Sequence, residues 1–214
     1  MSVTVLKADS FGRILLIQHH ADLFIRRDLT TVHPWLRPIA QWLLQREASA
    51  LRQVSSVGQW PRLLHSTALS LDRSYLHGKP LYVQPPSRPV DYFDAAKRLL
   101  RTLHRHGVVH NDLAKEANWL VLDNGAPALI DFQLAMRGPP RARWLRLLAR
   151  EDLRHLLKHK RTYCQERLTP TERRILARPS WIRQLWFCSG KPIYRWVTRR
   201  LLGWRDREGQ GPTP

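Results

Sequence analysis

Residues 110–135, HNDLAKEANWLVLDNGAPALIDFQLA, decide how the rest of the chain is interpreted. The stretch contains two apolar runs, residues 119–122 and 128–130, on either side of the sequence DNG. An Asn-Gly or Asp-Gly turn between two such runs is the strongest short-range signal for a β-hairpin. We therefore predict a hairpin here, with Asp112 before its first strand and Asp131 directly after its second.

Three polar side chains should meet at one end of this hairpin. Asn118 lies 13 residues before Asp131, the interval that a single tight hairpin needs to bring both side chains to the same end. A carboxylate that follows an apolar strand is costly to bury unless a metal or a charged partner neutralises it. Each residue alone also fits an ordinary structural role, but the order of all three, with an HxD and a DF dipeptide, favours chemistry. Phosphoryl transfer needs such a set: hard oxygens for a metal and a carboxylate that orients the attacking hydroxyl.

The stretch resembles the catalytic loop and metal motif of the protein-kinase-like superfamily, most closely its small bacterial branch of lipopolysaccharide core kinases and RIO-like atypical kinases. The resemblance implies an α+β, two-lobed protein-kinase-like fold, with a small β-rich N-lobe that carries one helix and a larger helical C-lobe. It also implies that Asp112 orients the acceptor hydroxyl and that Asn118 and Asp131 hold Mg2+ for ATP. Lys115 would reach the transferred phosphoryl group, although a solvated loop lysine fits as well.

The pattern along the rest of the chain agrees with two lobes. Apolar runs separated by turn residues predict three short strands in residues 1–30, and helical spacing predicts a helix over 39–54. Residues 60–81 again indicate strands and turns, with a hinge near 75–80, and the Pro-rich segment 83–91 predicts a linker. Further helices are expected over 92–106, ended by Gly107, and from Arg143 onward. We assign residues 1–82 to the N-lobe, with nucleotide-covering strands and a Glu-bearing helix, and residues 83–214 to the C-lobe.

A kinase-like site also requires a cation from a small-lobe strand and a helix glutamate. Glu47 lies on the apolar stripe of its helix, one turn from Leu43 and one turn from Leu51, so it needs a partner. Aligning FIR with the VAIK sequence of kinases gives Arg26 the place of the usual lysine, and Arg27 remains the alternative. Gly12 is the lone glycine of the segment that would cover the nucleotide phosphates.

Other positions depart from the kinase pattern. Asn111 replaces an arginine that receives activation-loop phosphates in many protein kinases, and Gln133 replaces the glycine after Asp-Phe. Five residues separate Asp112 from Asn118 instead of four, so the loop must bulge, and we expect Ala117 to absorb the extra residue. Asp152 resembles the buried aspartate that anchors the catalytic loop. The short interval from Asp131 to Asp152 leaves little platform for a peptide and favours a compact acceptor such as a sugar hydroxyl.

The charge is concentrated in the last third of the chain. The formal net charge is +19, and residues 137–214 hold 20 Lys and Arg against 6 Asp and Glu. Residues 181–204 combine four tryptophans with arginines, which is typical of an interfacial helix on an anionic membrane surface and also of a helix packed on its own lobe. No recognisable nucleic-acid-binding module is present, which disfavours nucleic acid as a partner. Two cysteines and the absence of a long apolar run indicate a cytoplasmic protein, with peripheral attachment to the inner membrane face as one option.

Three hypotheses follow from these patterns. The first is an ATP- and Mg2+-dependent kinase that phosphorylates a hydroxyl, with a lipopolysaccharide-core sugar as acceptor. The second is a RIO-like Ser/Thr protein kinase that uses the same site. The third is a pseudokinase that keeps the fold for binding, supported by Arg26 in place of lysine and by the single glycine at Gly12.

Overall fold

The computed structural model describes residues 2–20, 22–54 and 58–178. The N-terminal part of the chain forms a five-stranded antiparallel sheet. The sheet has the order β1-β2-β3-β5-β4. Its strands are β1 (Ser2–Asp9), β2 (Gly12–His19), β3 (Asp22–Asp28), β4 (Leu63–Ser66) and β5 (Ser70–Ser74). The three strands expected in the first 30 residues are confirmed.

Helix α1 (Arg37–Val54) connects two hydrophobic cores. Leu44 and Ala48 pack against Leu71 of the sheet, whereas Leu51 and Val54 belong to the core of the larger lobe. The predicted helix is confirmed and begins two residues earlier. Its apolar pattern is only partly buried, because Ile39 and Trp42 are 51% and 52% exposed.

Up to residue 178, where the described residues end, the larger lobe contains a three-stranded sheet, a two-stranded sheet and three helices. The first sheet has the order β6-β8-β9 and contains the predicted hairpin, and the second pairs β7 with β10. The strands are β6 (Gly78–Pro80), β7 (Val108–Val109), β8 (Trp119–Leu122), β9 (Pro127–Leu129) and β10 (Met136–Arg137). The helices are α2 (Pro89–Arg105), α3 (Arg143–Cys164) and α4 (Pro170–Ala177).

Two boundaries differ from the sequence prediction. Helix α2 begins at Pro89, inside the expected linker, because proline is well suited to the first turn of a helix. Strand β6 pairs with β8 of the larger lobe, so the chain crosses between the sheets in residues 75–77, within the expected hinge. The assignment of residues 1–82 to the N-lobe and 83–214 to the C-lobe stays a prediction.

None of the helices in the described residues has both the length and the apolar character needed to cross a membrane. The Trp-rich segment 181–204, which fits either an interfacial helix or a helix packed on its own lobe, lies outside the described residues.

Helix α4 is held by a capping box and by two lysines. The Thr169 backbone N–H donates to Glu172 Oε2 at 2.9 Å, and the Glu172 N–H donates to Thr169 Oγ1 at 3.2 Å. Lys97 of α2 and Lys160 of α3 also donate to Glu172, at 2.5 and 3.1 Å. Burial disfavours ionisation of Glu172, but hydrogen bonds from Lys97, the Thr169 N–H and Lys160 outweigh it and lower its pKa to about 2. One carboxylate therefore ties three helices together.

We expect Glu172→Gln to lower the free energy of unfolding at neutral pH by about 2 kcal/mol or more, because two lysines lose their charged partner. The pKa of Glu172 is depressed on folding, so its contribution is present above the ordinary value of 4.5 and disappears as pH falls toward 2. Chemical denaturation measured from neutral pH down to about 2 should show the free energies of unfolding of the wild type and the variant becoming equal. Glu166→Gln, at an exposed position, is the control; equal effects of both substitutions would contradict the network.

Candidate active site

Helix α3 anchors the segment that carries Asp112. Asp152, 1% exposed, accepts hydrogen bonds from the backbone N–H groups of His110 and Asn111 at 2.8 and 2.9 Å. The His104 ring nitrogen Nε2 lies 3.1 Å from the same carboxylate. Hydrogen bonds to an ionised carboxylate are among the strong ones, so they hold the loop firmly. The anchoring role predicted for Asp152 is confirmed.

Asn111 connects this loop to the segment that follows the metal motif. Its backbone has φ of 62°, a left-handed conformation that asparagine tolerates better than most residues. Its side-chain amide donates to the Leu134 carbonyl oxygen at 3.2 Å. The residue that replaces the usual arginine therefore has a local structural role.

Asp112 and Asn118 lie together. The Asn118 amide nitrogen donates to the Asp112 backbone oxygen at 2.8 Å and to Asp112 Oδ2 at 3.0 Å. Lys115 Nζ lies 2.8 Å from the same Oδ2 and is 63% exposed. Since the amide nitrogen of Asn118 faces Asp112, its oxygen points away from that carboxylate and is available as an acceptor.

Ala117, which we expect to absorb the extra residue of the loop, lies in a 3-10 turn, Glu116–Asn118. Tyr163 of α3 donates to Glu116 Oε2 at 2.6 Å, and burial followed by this hydrogen bond raises the pKa of Tyr163. His159 Nε2 donates to the Leu113 carbonyl oxygen at 2.8 Å. Helix α3 thus fixes the longer loop at two more points, which the sequence pattern did not reveal.

Asp131 has the features of a metal ligand. It follows β9 in a left-handed conformation, with φ of 66°, which is sparsely populated for non-glycine residues and often marks functional sites. His110 Nε2 donates to the preceding Ile130 carbonyl oxygen at 2.9 Å and so supports the turn. Asp131 Oδ1 is buried and has no hydrogen-bond partner among the described residues. A buried carboxylate oxygen without a donor is suited to a cation.

The described residues contain no group of three or more His, Cys, Asp or Glu side chains that could hold a metal by themselves. Magnesium in phosphotransfer sites commonly takes one or two carboxylates together with substrate phosphates and waters. The donor set of Asp131 and Asn118 fits that mode of binding.

Glu47 is fully buried between two arginines. Arg73 of β5 donates to Glu47 Oε1, and Arg27 Nε lies 3.4 Å from Glu47 Oε2. The other end of the Arg27 guanidinium reaches Asp131, with Nη2 3.7 Å from Oδ1. Burial, and then the positive charge of Arg27, lower the pKa of Arg73 to about 10, so Arg73 stays charged at neutral pH. Sequence reasoning missed Arg73, which lies two residues after Leu71 and therefore on the same face of β5.

The structure places Arg27, and not Arg26, beside Glu47. Successive side chains of a strand point to opposite faces, so only one of the two arginines can face α1. Arg26 lies on the other face and makes a two-pronged ion pair with Asp72, with both contacts at 2.7 Å. The alignment predicted that Arg26 pairs with Glu47. This prediction is wrong by one residue, because Arg27 makes the pair.

Gln133 and Arg46 hold the turn after Asp131. With its carbonyl oxygen oriented toward Arg27, the Gln133 amide accepts from Arg27 Nε at 3.1 Å and Nη2 at 3.0 Å. Arg46 of α1 donates to the Leu134 and Ala135 carbonyl oxygens, both at 2.9 Å. Side chains from the sheet and from α1 thus fix the metal motif from two sides.

Gly12 begins β2, directly after the two-residue turn that follows β1. Its φ is 113°, and a Cβ there would collide with the Asp28 carbonyl oxygen, so the backbone itself requires glycine. Phe11 in the turn packs against the core beneath α1.

The fold is similar to that of a solved kinase structure. The Rio2 kinase from Chaetomium thermophilum matches with a TM-score of 0.62 and 12% identity. The match covers 82% of this chain and 62% of that chain, so the protein spans less than two thirds of the kinase's length. The likeness shows a two-lobed protein-kinase-like fold.

The sequence matches the APH phosphotransferase enzyme family over residues 19–176, so the chain belongs to this family. A comparison with curated proteins found no match.

We expect Asp152→Asn to release the catalytic loop, because an amide cannot accept from both backbone N–H groups and His104 as a carboxylate does. The free energy of unfolding should fall by about 2 kcal/mol, and amide hydrogen exchange should accelerate at His110 and Asn111. Asp22→Asn, at an exposed strand end, is the control. Unchanged exchange at these two amides would contradict the anchoring role.

Proposed function

We propose that the protein transfers the γ-phosphate of ATP to a hydroxyl, with a lipopolysaccharide-core sugar as the acceptor. The observation that carries the proposal is the constellation at the end of the hairpin: Asp112 hydrogen-bonded to Asn118, and Asp131 with a buried oxygen that accepts no hydrogen bond from the described residues and lies 3.7 Å from Arg27 Nη2. Membership of a phosphotransferase family agrees with this chemistry.

Each residue then has a role. Asp112 accepts a hydrogen bond from the acceptor hydroxyl, aligns it for in-line attack and receives its proton. Lys115, paired with Asp112 and otherwise exposed, neutralises charge on the transferred phosphoryl group. Asp131 and Asn118 would hold Mg2+, which shields the phosphate charges when it is bound.

Arg27 is our candidate for the cation on the nucleotide phosphates. Its guanidinium extends from Glu47 to Asp131 and so lies between the glutamate of α1 and the metal motif. Arg73 also neutralises Glu47, so an outward swing of Arg27 toward phosphate would not leave a buried carboxylate unpaired. A planar guanidinium can contact phosphate with two parallel hydrogen bonds.

A compact acceptor is favoured by the segment after the metal motif. After the 3-10 turn Phe132–Leu134 the chain forms only the two-residue strand β10 before α3 begins at Arg143. That leaves little surface on which an extended peptide could lie. A Ser/Thr protein kinase remains the second candidate, because a solved structure with a similar fold is titled a Rio2 kinase.

The first test is transfer of labelled γ-phosphate to purified core glycolipid and to protein acceptors. Asp112→Ala should lower the rate by about 10²–10⁴-fold, the usual contribution of a positioned base. Label in glycolipid but not in protein supports the sugar acceptor, and the reverse result supports the protein-kinase alternative. Transfer that survives Asp112→Ala would contradict the assigned site.

The second test separates an active kinase from a binding protein that has lost transfer. ATP with Mg2+ should raise the melting temperature of the wild type. In Asp131→Asn, the Mg2+-dependent portion of that increase should disappear. Asp123→Asn, in the exposed hairpin turn, is the control. An equal Mg2+-dependent shift in both variants would contradict the metal assignment.

The two neighbouring arginines are a matched pair for a third test. Arg27→Lys should raise KM for ATP by about tenfold, because lysine keeps the charge but loses the planar fork. Arg26→Lys should change it by less than about twofold, since Arg26 faces Asp72. Steady-state kinetics with varied ATP measure KM for the two variants. A larger increase in KM for Arg26→Lys than for Arg27→Lys would show that Arg26, and not Arg27, takes the role of the kinase lysine.

A further inference from the structure

An exposed surface rich in arginine and large apolar side chains begins just after the metal motif. Five large apolar residues on it are well exposed: Trp42 at 52%, Leu134 at 40%, Met136 at 38%, Trp144 at 43% and Leu147 at 46%. Contiguous exposed apolar patches are uncommon on soluble domains and often mark interaction sites. We name this region, formed by the outer face of α1, residues 134–138 and the first two turns of α3, the Trp–Arg surface.

Contacts show that the three parts of the Trp–Arg surface adjoin. Trp42 and Arg46 of α1 line a depression of about 350 Å³ together with Met136 and Arg137. Gly138 lies directly beneath the Trp144 indole, since a Cβ at this glycine would collide with the ring. A second depression of about 350 Å³ lies along α3 and is lined by Arg143, Trp144, Arg146, Leu147 and Arg150.

The charge of this surface has one sign. Residues 137–150, RGPPRARWLRLLAR, contain five arginines and no acidic residue. All five arginines are exposed. Arg46 stacks on the Trp42 ring, 4.5 Å from its centroid, and places a further cation beside an exposed aromatic side chain.

We propose that the Trp–Arg surface binds an anionic lipid bilayer. Tryptophan is enriched at the level of lipid headgroups, and arginines beside it attract anionic phosphates. Leu147 and Met136 distinguish this surface from one for nucleic acid, because aliphatic side chains can enter the acyl region but cannot stack on bases as aromatic rings do. The charge complementarity and the mixture of apolar types together favour a membrane.

The position of the Trp–Arg surface gives it a functional consequence. It borders the candidate active site through Leu134, whose carbonyl oxygen accepts from both Asn111 and Arg46. Docking on this face would therefore bring the catalytic loop close to the headgroup region, where a glycolipid acceptor is displayed. The surface is defined without residues 181–204, and its binding can be measured without any phosphotransfer.

Co-sedimentation of the full chain with vesicles tests the proposal. We expect binding to vesicles of phosphatidylcholine mixed with phosphatidylglycerol, little binding to phosphatidylcholine alone, and weakening by salt. The variant Trp144→Ser/Leu147→Ser and the variant Arg143→Gln/Arg146→Gln/Arg150→Gln should each weaken binding by about tenfold or more. Blue-shifted tryptophan fluorescence on binding should be smaller in the Trp144 variant.

Matched controls carry the same changes elsewhere on the protein. Val5→Ser/Leu64→Ser removes two apolar side chains of the five-stranded sheet that are 55% and 53% exposed. Arg62→Gln/Arg88→Gln/Arg105→Gln removes three arginines at exposed positions. Both controls should bind as the wild type does.

Three results would overturn the proposal. One is the absence of binding to anionic vesicles. Another is binding that the Trp144/Leu147 and arginine variants leave unchanged, which would place it elsewhere, for example in residues 181–204. The third is binding to single-stranded RNA, but not to vesicles, that the arginine variant abolishes. Circular dichroism melts of each variant show that a loss of binding is not a loss of folding.

Discussion

The structure depends on a carboxylate that has no access to water. Glu47 lies at the point where α1, the five-stranded sheet and the metal motif meet, and it is fully buried. An isolated buried charge would be prohibitively unstable, so Glu47 is tolerable only because Arg73 and Arg27 converge on it. The pairing brings two strands to one helix, and Arg27 then extends the contact to Asp131. A single burial requirement thus connects the packing of the small lobe to the geometry of the site.

An arginine in place of the expected lysine changes what this connection can do. A lysine ammonium concentrates its charge at one nitrogen. The Arg27 guanidinium instead spreads its charge: Nε lies beside Glu47 and Gln133, and Nη2 lies beside Asp131 and Gln133. Gln133, which first suggested a departure from active kinases, has a positive function in this arrangement because its carbonyl oxygen satisfies the larger cation. The substitutions at positions 27 and 133 are therefore structurally coupled.

Much of the fold could be predicted from sequence, because the elements have strong local signals. The DNG turn between apolar runs indicated the β8–β9 hairpin, and helical periodicity indicated α1. The boundaries of α2 were less accurate, since the prolines that suggested a linker include the first residue of the helix. For the site, Asp112, Asn118 and Asp131 stood out because each is a polar residue at the end of an apolar run. Arg73 did not, because a single arginine in a half-buried strand looks like an ordinary surface residue.

The sequence by itself determined that the chain forms a hairpin flanked by acidic residues and that Glu47 faces inward. These conclusions follow from periodicity and spacing, which are local properties of the chain. Only the tertiary structure decided which arginine meets Glu47, because the register of β3 against β5 fixes which side chain faces α1. It also decided that Ile39 and Trp42 stay exposed while Ala40 and Leu44 are buried. Hydrophobicity shows which residues can be buried. Which of them are buried depends on which faces of the helix other elements pack against.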